Sequence, residues 1–234
     1  KGTPMTPTSL LTSRLAESAF TRVIAFGSSN TERRLAGMHW FDCFELACRH
    51  TYGPHLACIN SGRGGDTTRD LLERFERDCL AYRPNLVFLT VGGNDSNPDR
   101  ALGVVEYRRN LETIIARLRA LDCAVALQTY YAVDVSGISE AHATMFFAMM
   151  DTVRAVSAAS GCLLLDHLAR WELLRTQAYD VYARLMQDPM HVNTLGNQVI
   201  GLDIARAFAL SLPDDVYFRE AYAVQALLDR LSAE

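Results

Sequence analysis

Four short blocks of this chain carry residue types that can do covalent chemistry: Gly27-Ser28-Ser29-Asn30-Thr31, Asn60-Ser61-Gly62-Arg63-Gly64-Gly65-Asp66-Thr67, Gly92-Gly93-Asn94-Asp95 and Asp188-Pro189-Met190-His191. Together they supply a hydroxyl nucleophile, two oxyanion donors, and a base with a carboxylate to orient it, the groups that acyl transfer requires. Ser29 follows a short apolar run and a glycine, where the chain must turn sharply and backbone can approach a ligand closely. Ser28 and Ser29 can also be read as helix caps, a common role for serine at such a place. Thr31 stands where G-x-S-x-G would need glycine, so the α/β-hydrolase elbow does not apply.

The other blocks have the same double reading. Gly65 lies in a glycine-rich loop, but Thr67 occupies the place where a dinucleotide fingerprint needs glycine, and no Walker lysine follows. An ordinary strand-to-helix loop, with Asp66 or Thr67 capping the helix, would look alike. Asn94 can donate to an oxyanion through its NH2 group, and Asn-Asp beside glycine is also ordinary turn chemistry. His191 has Asp188 three positions upstream, with Pro189 stiffening the segment. At that spacing the carboxylate can fold back to the imidazole N–H, fix its tautomer and stabilise the cation formed in turnover. The competing reading is a helix-start cluster ahead of Thr194.

The wording and order of the four blocks resemble the SGNH family of serine esterases, also called GDSL hydrolases, from about Val23 to about Ala207. In that family the nucleophile follows the first strand, a glycine follows the second, Gly-x-Asn-Asp follows the third, and a late Asp-x-x-His closes the set. Carried over residue by residue, the resemblance implies Ser29 as nucleophile, His191 as base and Asp188 as its orienter. The implied oxyanion hole is Ser29, Gly65 and Asn94. The chemistry implied is carboxylic ester hydrolysis through an acyl-enzyme, on a small-molecule ester, with no cofactor and no metal. One position departs: the family usually has Asp just before the nucleophile, bracing its turn, and this chain has Ser28.

Substrate-binding candidates near the site are Ser28, Asn30, Tyr130, Tyr131 and Met190, with Trp171 in addition. The two tyrosines offer aromatic surface that suits a sugar ring, an acyl chain or an aryl ester, and core packing at a strand end is the competing reading. Three functions are in view. The first is an esterase removing a short acyl group, such as acetyl, from a hydroxylated or carbohydrate compound. The second is a thioesterase or lysophospholipase on longer acyl chains. The third is a non-catalytic binding protein of the same fold, for which Ser28 is the support.

These blocks need elements to hold them. Short apolar runs alternate with longer amphipathic ones, the pattern of βα units around a parallel sheet. Strands are expected at Arg22–Phe26, His55–Ile59, Leu86–Thr90, Cys123–Gln128 and Cys162–Leu165, and helices near Met38–Thr51, Thr67–Ala81, Val104–Leu121 and Glu140–Ser160. Further helices are expected at His167–Thr176, Ala178–Leu185, Thr194–Leu210 with Thr194 as its cap, and Tyr217–Leu231. The expected fold is α/β: a three-layer α/β/α sandwich with a five-stranded parallel sheet in flavodoxin-like order, as the resemblance implies. In an open parallel sheet ligands bind outside the carboxyl ends of the strands, and the first three blocks each follow a strand.

Composition narrows the class. No linker, repeat or low-complexity run divides the 234 residues, so one catalytic domain is expected over 22–212. Residues 1–21 form an N-terminal extension, and 213–234 a last helix that packs on the domain or joins a homo-oligomer. Lys1-Gly2-Thr3-Pro4 ahead of Met5 reads as a cloning remnant, and nothing after Met5 resembles a signal peptide. With 49% apolar residues the chain can build a sizeable core, and a net charge of −4 with scattered arginines gives no reason to expect nucleic-acid binding. No apolar stretch reaches the length of a membrane span. None of the six cysteines forms a C-x-x-C pair, so free thiols in a reducing, cytoplasmic compartment are expected.

Overall fold

The computed structural model describes residues 7–233; the expected remnant Lys1-Gly2-Thr3-Pro4 lies outside the described residues. In chain order the elements are α1 (Pro7–Ala16), β1 (Thr21–Gly27), α2 (Trp40–Tyr52), β2 (Leu56–Gly62), α3 (Thr68–Asp78), β3 (Leu86–Thr90), α4 (Val104–Arg119) and β4 (Ala124–Gln128). They continue with α5 (Glu140–Ser160), β5 (Leu163–Leu165), α6 (His167–Gln177), α7 (Tyr179–Leu185), β6 (Met186–Asp188), β7 (His191–Val192), α8 (Thr194–Ala207) and α9 (Arg219–Leu231).

Five strands make one parallel sheet in the order β2-β1-β3-β4-β5. This is the flavodoxin-like order, with its switch point between β1 and β3. All five residues of β3 are buried, as a central strand covered by helices on both faces must be. Helix α2 packs on α8, while α3, α4 and α5 pack on one another in series.

Register decides what happens at the carboxyl edge. Gly27, the last residue of β1, pairs with Gly62 of β2 and with Thr90 of β3. The three strands therefore end level, and the loops carrying Ser29, Gly65 and Asn94 start side by side.

Several expected boundaries move. Strand β2 runs on to Gly62, three residues past the expected end at Ile59. Helix α3 stops at Asp78, and a separate single turn spans Leu80–Tyr82 before Arg83 takes a left-handed φ of 50°. Helix α8 is capped by Asn193, whose side chain accepts from the Gly196 N–H, rather than by Thr194. The Thr194 hydroxyl instead donates to the Ala36 carbonyl. Two features had no sequence counterpart: α1, whose Leu11 and Leu15 are buried in the core, and the β6–β7 hairpin.

The last helix packs on its own domain. Ala221, Val224, Gln225 and Leu228 of α9 are buried, against α8 and α6. The Gln225 amide donates to the Val199 carbonyl, and Arg170 of α6 pairs with Asp203 of α8 and Asp229 of α9.

Candidate active site

The β6–β7 hairpin brings two of the chemical groups together. Asp188 ends β6, His191 begins β7, and the two are cross-strand partners. Both carboxylate oxygens of Asp188 lie 2.9 Å from His191 Nδ1, and Oδ1 also accepts the Met190 N–H at 2.9 Å. A carboxylate accepts here, so Nδ1 is the donor, and in the neutral imidazole Nε2 then offers its lone pair. That nitrogen lies 2.8 Å from Ser29 Oγ, across 162 positions of sequence. The arrangement can take the proton from Ser29 as its oxygen attacks an electrophile, and can hold the resulting imidazolium against Asp188.

The second and third blocks meet at the neighbouring loops. Asn94 Nδ2 donates to the Asp66 carbonyl at 2.9 Å, which uses one of its two hydrogens and leaves the other able to donate. Gly65 is exposed and sits at φ 84°, a backbone conformation that side-chain-bearing residues seldom adopt. Asp95, which follows Asn94, is buried and accepts from both the Thr68 N–H (2.7 Å) and the Thr68 hydroxyl (2.6 Å) through one oxygen. Its other oxygen has no partner, and burial pushes the carboxyl up to about 6. Asp95 thus pins the Asn94 turn to the first residue of α3. Among the described residues, no group of three His, Cys, Asp or Glu side chains converges to hold a metal ion.

The candidate substrate contacts fare differently. Ser28, Tyr130 and Tyr131 are 0%, 3% and 3% exposed, and Trp171 is buried with them; Tyr130 and Tyr131 line an inner pocket that Asn30 also borders. The hydroxyls of Ser28, Tyr130 and Tyr131 are already engaged inside the protein, while Trp171 Nε1 has no partner. Ser28 Oγ and the Tyr130 hydroxyl share a hydrogen bond of 2.9 Å, and Tyr131 bonds to Asn30 and to the chain around His191. Asn30 and Met190 are half-buried; Met190 gives its carbonyl to Tyr131, while Asn30 borders an open cleft. This cleft lies beside Ser29 and His191, and its walls include Glu32, Arg34, His39, Thr194 and Asn197.

Residues 25–199 match the model of the GDSL-like lipase/acylhydrolase family. The chain belongs to that family. Over 161 residues it is 24% identical to an acetylxylan esterase of Geobacillus stearothermophilus, an alignment covering 65% of this chain and 70% of that one. The solved structure of the acetylxylan esterase Axe2 from that organism superposes with a TM-score of 0.71 at 19% identity, covering 83% of this chain and 97% of that one. A lipase/acylhydrolase from Enterococcus faecalis superposes with a TM-score of 0.67 at 26% identity, covering 83% of this chain and 100% of that one.

Within this GDSL-like site one residue was not singled out from the sequence. Arg74 of α3 is 6% exposed, and its guanidinium stacks 4.6 Å above the Phe26 ring. It donates to Asp66 Oδ2 at 2.6 Å, to the Ser61 carbonyl at 2.9 Å and to the Gly27 carbonyl at 3.0 Å. One planar fork thereby ties the residue before Ser28 to the end of β2 and to the loop of Gly65. The signal was present in the sequence: Arg74 shares the buried face of α3 with Leu71 and Phe75, where an arginine needs a buried acceptor.

Proposed function

We propose that the protein is a serine carboxylic-ester hydrolase acting through an acyl-enzyme. Its preferred substrates are short-acyl, notably acetyl, esters of a hydroxylated or carbohydrate compound. The observation that carries the reading is the continuous hydrogen-bond chain from Ser29 Oγ through His191 to Asp188. In the reaction Ser29 Oγ attacks the ester carbonyl while His191 Nε2 takes its proton. The Ser29 and Gly65 N–H groups and Asn94 Nδ2 stabilise the oxyanion. Collapse breaks the bond to the alcohol, which leaves with the proton from His191. Water, deprotonated by the same nitrogen, then attacks the acyl-enzyme and releases the acid and free Ser29.

Two features favour a short acyl group. The cleft beside Ser29 is rich in polar walls, with Glu32 and Arg34 suited to hydroxyl groups. The acetylxylan esterases similar in sequence and fold point the same way. A reducing, cytoplasmic setting suits the cysteines, which are unpaired, with burial pushing the thiols of Cys43 and Cys79 up to about 12. No helix of the described residues is long and apolar enough to cross a membrane.

Hydrolysis of p-nitrophenyl acetate, butyrate and octanoate tests this reading. The expected order of kcat/KM is acetate above butyrate above octanoate, with acetylated xylose and xylo-oligosaccharides deacetylated as well. A preference for octanoate would replace the short-acyl reading with a lipid or thioester one. No turnover of any ester would overturn the enzymatic reading and leave a binding protein.

A further inference from the structure

The Ser29–His191 contact joins a sharp turn to a hairpin whose strands have three and two residues. An isolated two-stranded hairpin is marginally stable in water, so a 2.8 Å contact at its tip needs a support from elsewhere. The support is at the carboxyl end of β4, where Tyr130 and Tyr131 stand next to each other.

Each tyrosine holds one neighbour of Ser29. The Tyr130 hydroxyl shares its 2.9 Å hydrogen bond with Ser28 Oγ, at the position where the family usually has Asp. The Tyr131 hydroxyl donates to Asn30 Oδ1 at 2.6 Å. Each also holds a second part of the site. The Tyr130 ring lies against Gly93, where a Cβ would come within 2.6 Å of the ring, so Tyr130 sets the height of the turn that presents Asn94. Tyr131 reaches both neighbours of His191: its hydroxyl lies 2.7 Å from the Met190 carbonyl and accepts the Val192 N–H at 3.0 Å. A phenol has one proton, so it donates to Asn30 or to Met190 at a given moment while accepting from Val192. Both rings are locked by aromatic neighbours, Tyr130 by Phe146 at 5.8 Å and Tyr131 by Trp171 at 5.4 Å between centroids.

We propose that Tyr130 and Tyr131 are positioning residues that hold Ser29, His191 and the Asn94 turn in one frame, by hydrogen-bonding the residues on either side of Ser29 and of His191. The inference rests on the catalytic reading of Ser29 and His191. Neither tyrosine touches substrate; both act through the groups they hold. The Ser28–Tyr130 hydroxyl pair braces the nucleophile turn in this chain, with no carboxylate at position 28. A buried tyrosine suits the task because it has two side-chain torsions to fix and a hydroxyl at the end of a rigid ring.

The test is Tyr131→Phe and Tyr130→Phe, each assayed on p-nitrophenyl acetate for kcat, KM and thermal midpoint. Tyr182→Phe is the control: its buried hydroxyl donates to the Ala132 carbonyl at 3.2 Å in the same region, and not to a neighbour of Ser29 or His191. A misplacement of about 1 Å costs on the order of 10²-fold in rate. Tyr131→Phe is therefore expected to lower kcat by about 10- to 100-fold with KM within about twofold. Tyr130→Phe is expected to give the same split, and it carries the test if Tyr131→Phe does not fold. Tyr182→Phe is expected to lower the thermal midpoint and leave kcat unchanged. The proposal is overturned if the folded Tyr131 and Tyr130 variants keep kcat within twofold, or if Tyr182→Phe loses as much kcat as they do. Ser29→Ala in the same series separates the two levels: if it stays active, the catalytic reading itself fails.

Discussion

At the scale of single residues, the site depends on buried polar groups that tie its loops together, and Arg74 is the clearest case. Its guanidinium and the Asp66 carboxylate are 6% and 7% exposed and 2.6 Å apart. Arg74→Ala would leave Asp66 with only the exposed Arg63, 3.8 Å away, as a cationic partner, and breaking a buried pair typically costs about 3–5 kcal/mol. Chemical denaturation should show a loss of that order, and turnover should fall as the Gly27 and Ser61 carbonyls lose their donor. Stability within about 1 kcal/mol of the parent would show that water replaces the fork. The residues of the candidate triad and oxyanion hole were legible in the sequence because each sits in a short local pattern. The residues that brace them were not, because their partners are remote: Ser28 meets Tyr130 across 102 positions, and Arg74 meets Gly27 across 47. Local spacing places two tyrosines at a strand end, as pocket wall or as core, but does not show that a hydroxyl lands beside Ser28 or Asn30.

At the scale of elements, the parallel strands and long helices were legible from their periodicity, and the small or ambiguous elements were not. Strands β6 and β7 have three and two residues, too few for an alternating pattern to register, although the Asp188-Pro189-Met190-His191 motif inside them was plain. The cap of α8 moved by one residue because Asn193 and Thr194 are both good caps, and only geometry shows which side chain faces the Gly196 N–H. An amphipathic stripe on α9 announces a buried face without naming what covers it. The structure buries Leu228 completely in the interface of α9 with the rest of the domain. Leu228→Ala should therefore destabilise the protein by about 2–5 kcal/mol in denaturant titration. A loss below about 0.5 kcal/mol would mean that α9 adds little to the fold.

At the scale of the whole molecule, buried titratable groups outside the triad give the fold a pH dependence. His39 and His167 are buried, and desolvation lowers both from 6.5 to about 4. The folded state keeps these imidazoles neutral while the unfolded chain protonates them, so the stability they confer is present above pH 6.5 and is lost as pH falls toward 4. For one such group the full loss is about 3 kcal/mol. Asp95 works in the opposite direction: raised from 3.8 to about 6, its folded carboxyl prefers the proton, so its contribution falls as pH rises through that window. The two trends partly cancel in the parent and separate in variants. His167→Gln keeps an N–H donor for Gln128 Oε1, which His167 Nε2 meets at 3.0 Å. Thermal midpoints between pH 7 and pH 4 should fall less steeply in this variant than in the parent. Parallel curves would show that His167 titrates alike in the folded and unfolded chain.

The most direct measurement is covalent capture of the nucleophile. The protein is incubated with a fluorophosphonate, its intact mass and residual esterase activity are followed together, and the modified peptide Val23–Arg33 is sequenced by mass spectrometry. One adduct per chain on Ser29, formed in step with the loss of activity and absent from Ser29→Ala and His191→Ala, is the expected result. An adduct on Ser28 or another residue, or full loss of activity without modification of Ser29, would contradict the assignment of Ser29 as the nucleophile.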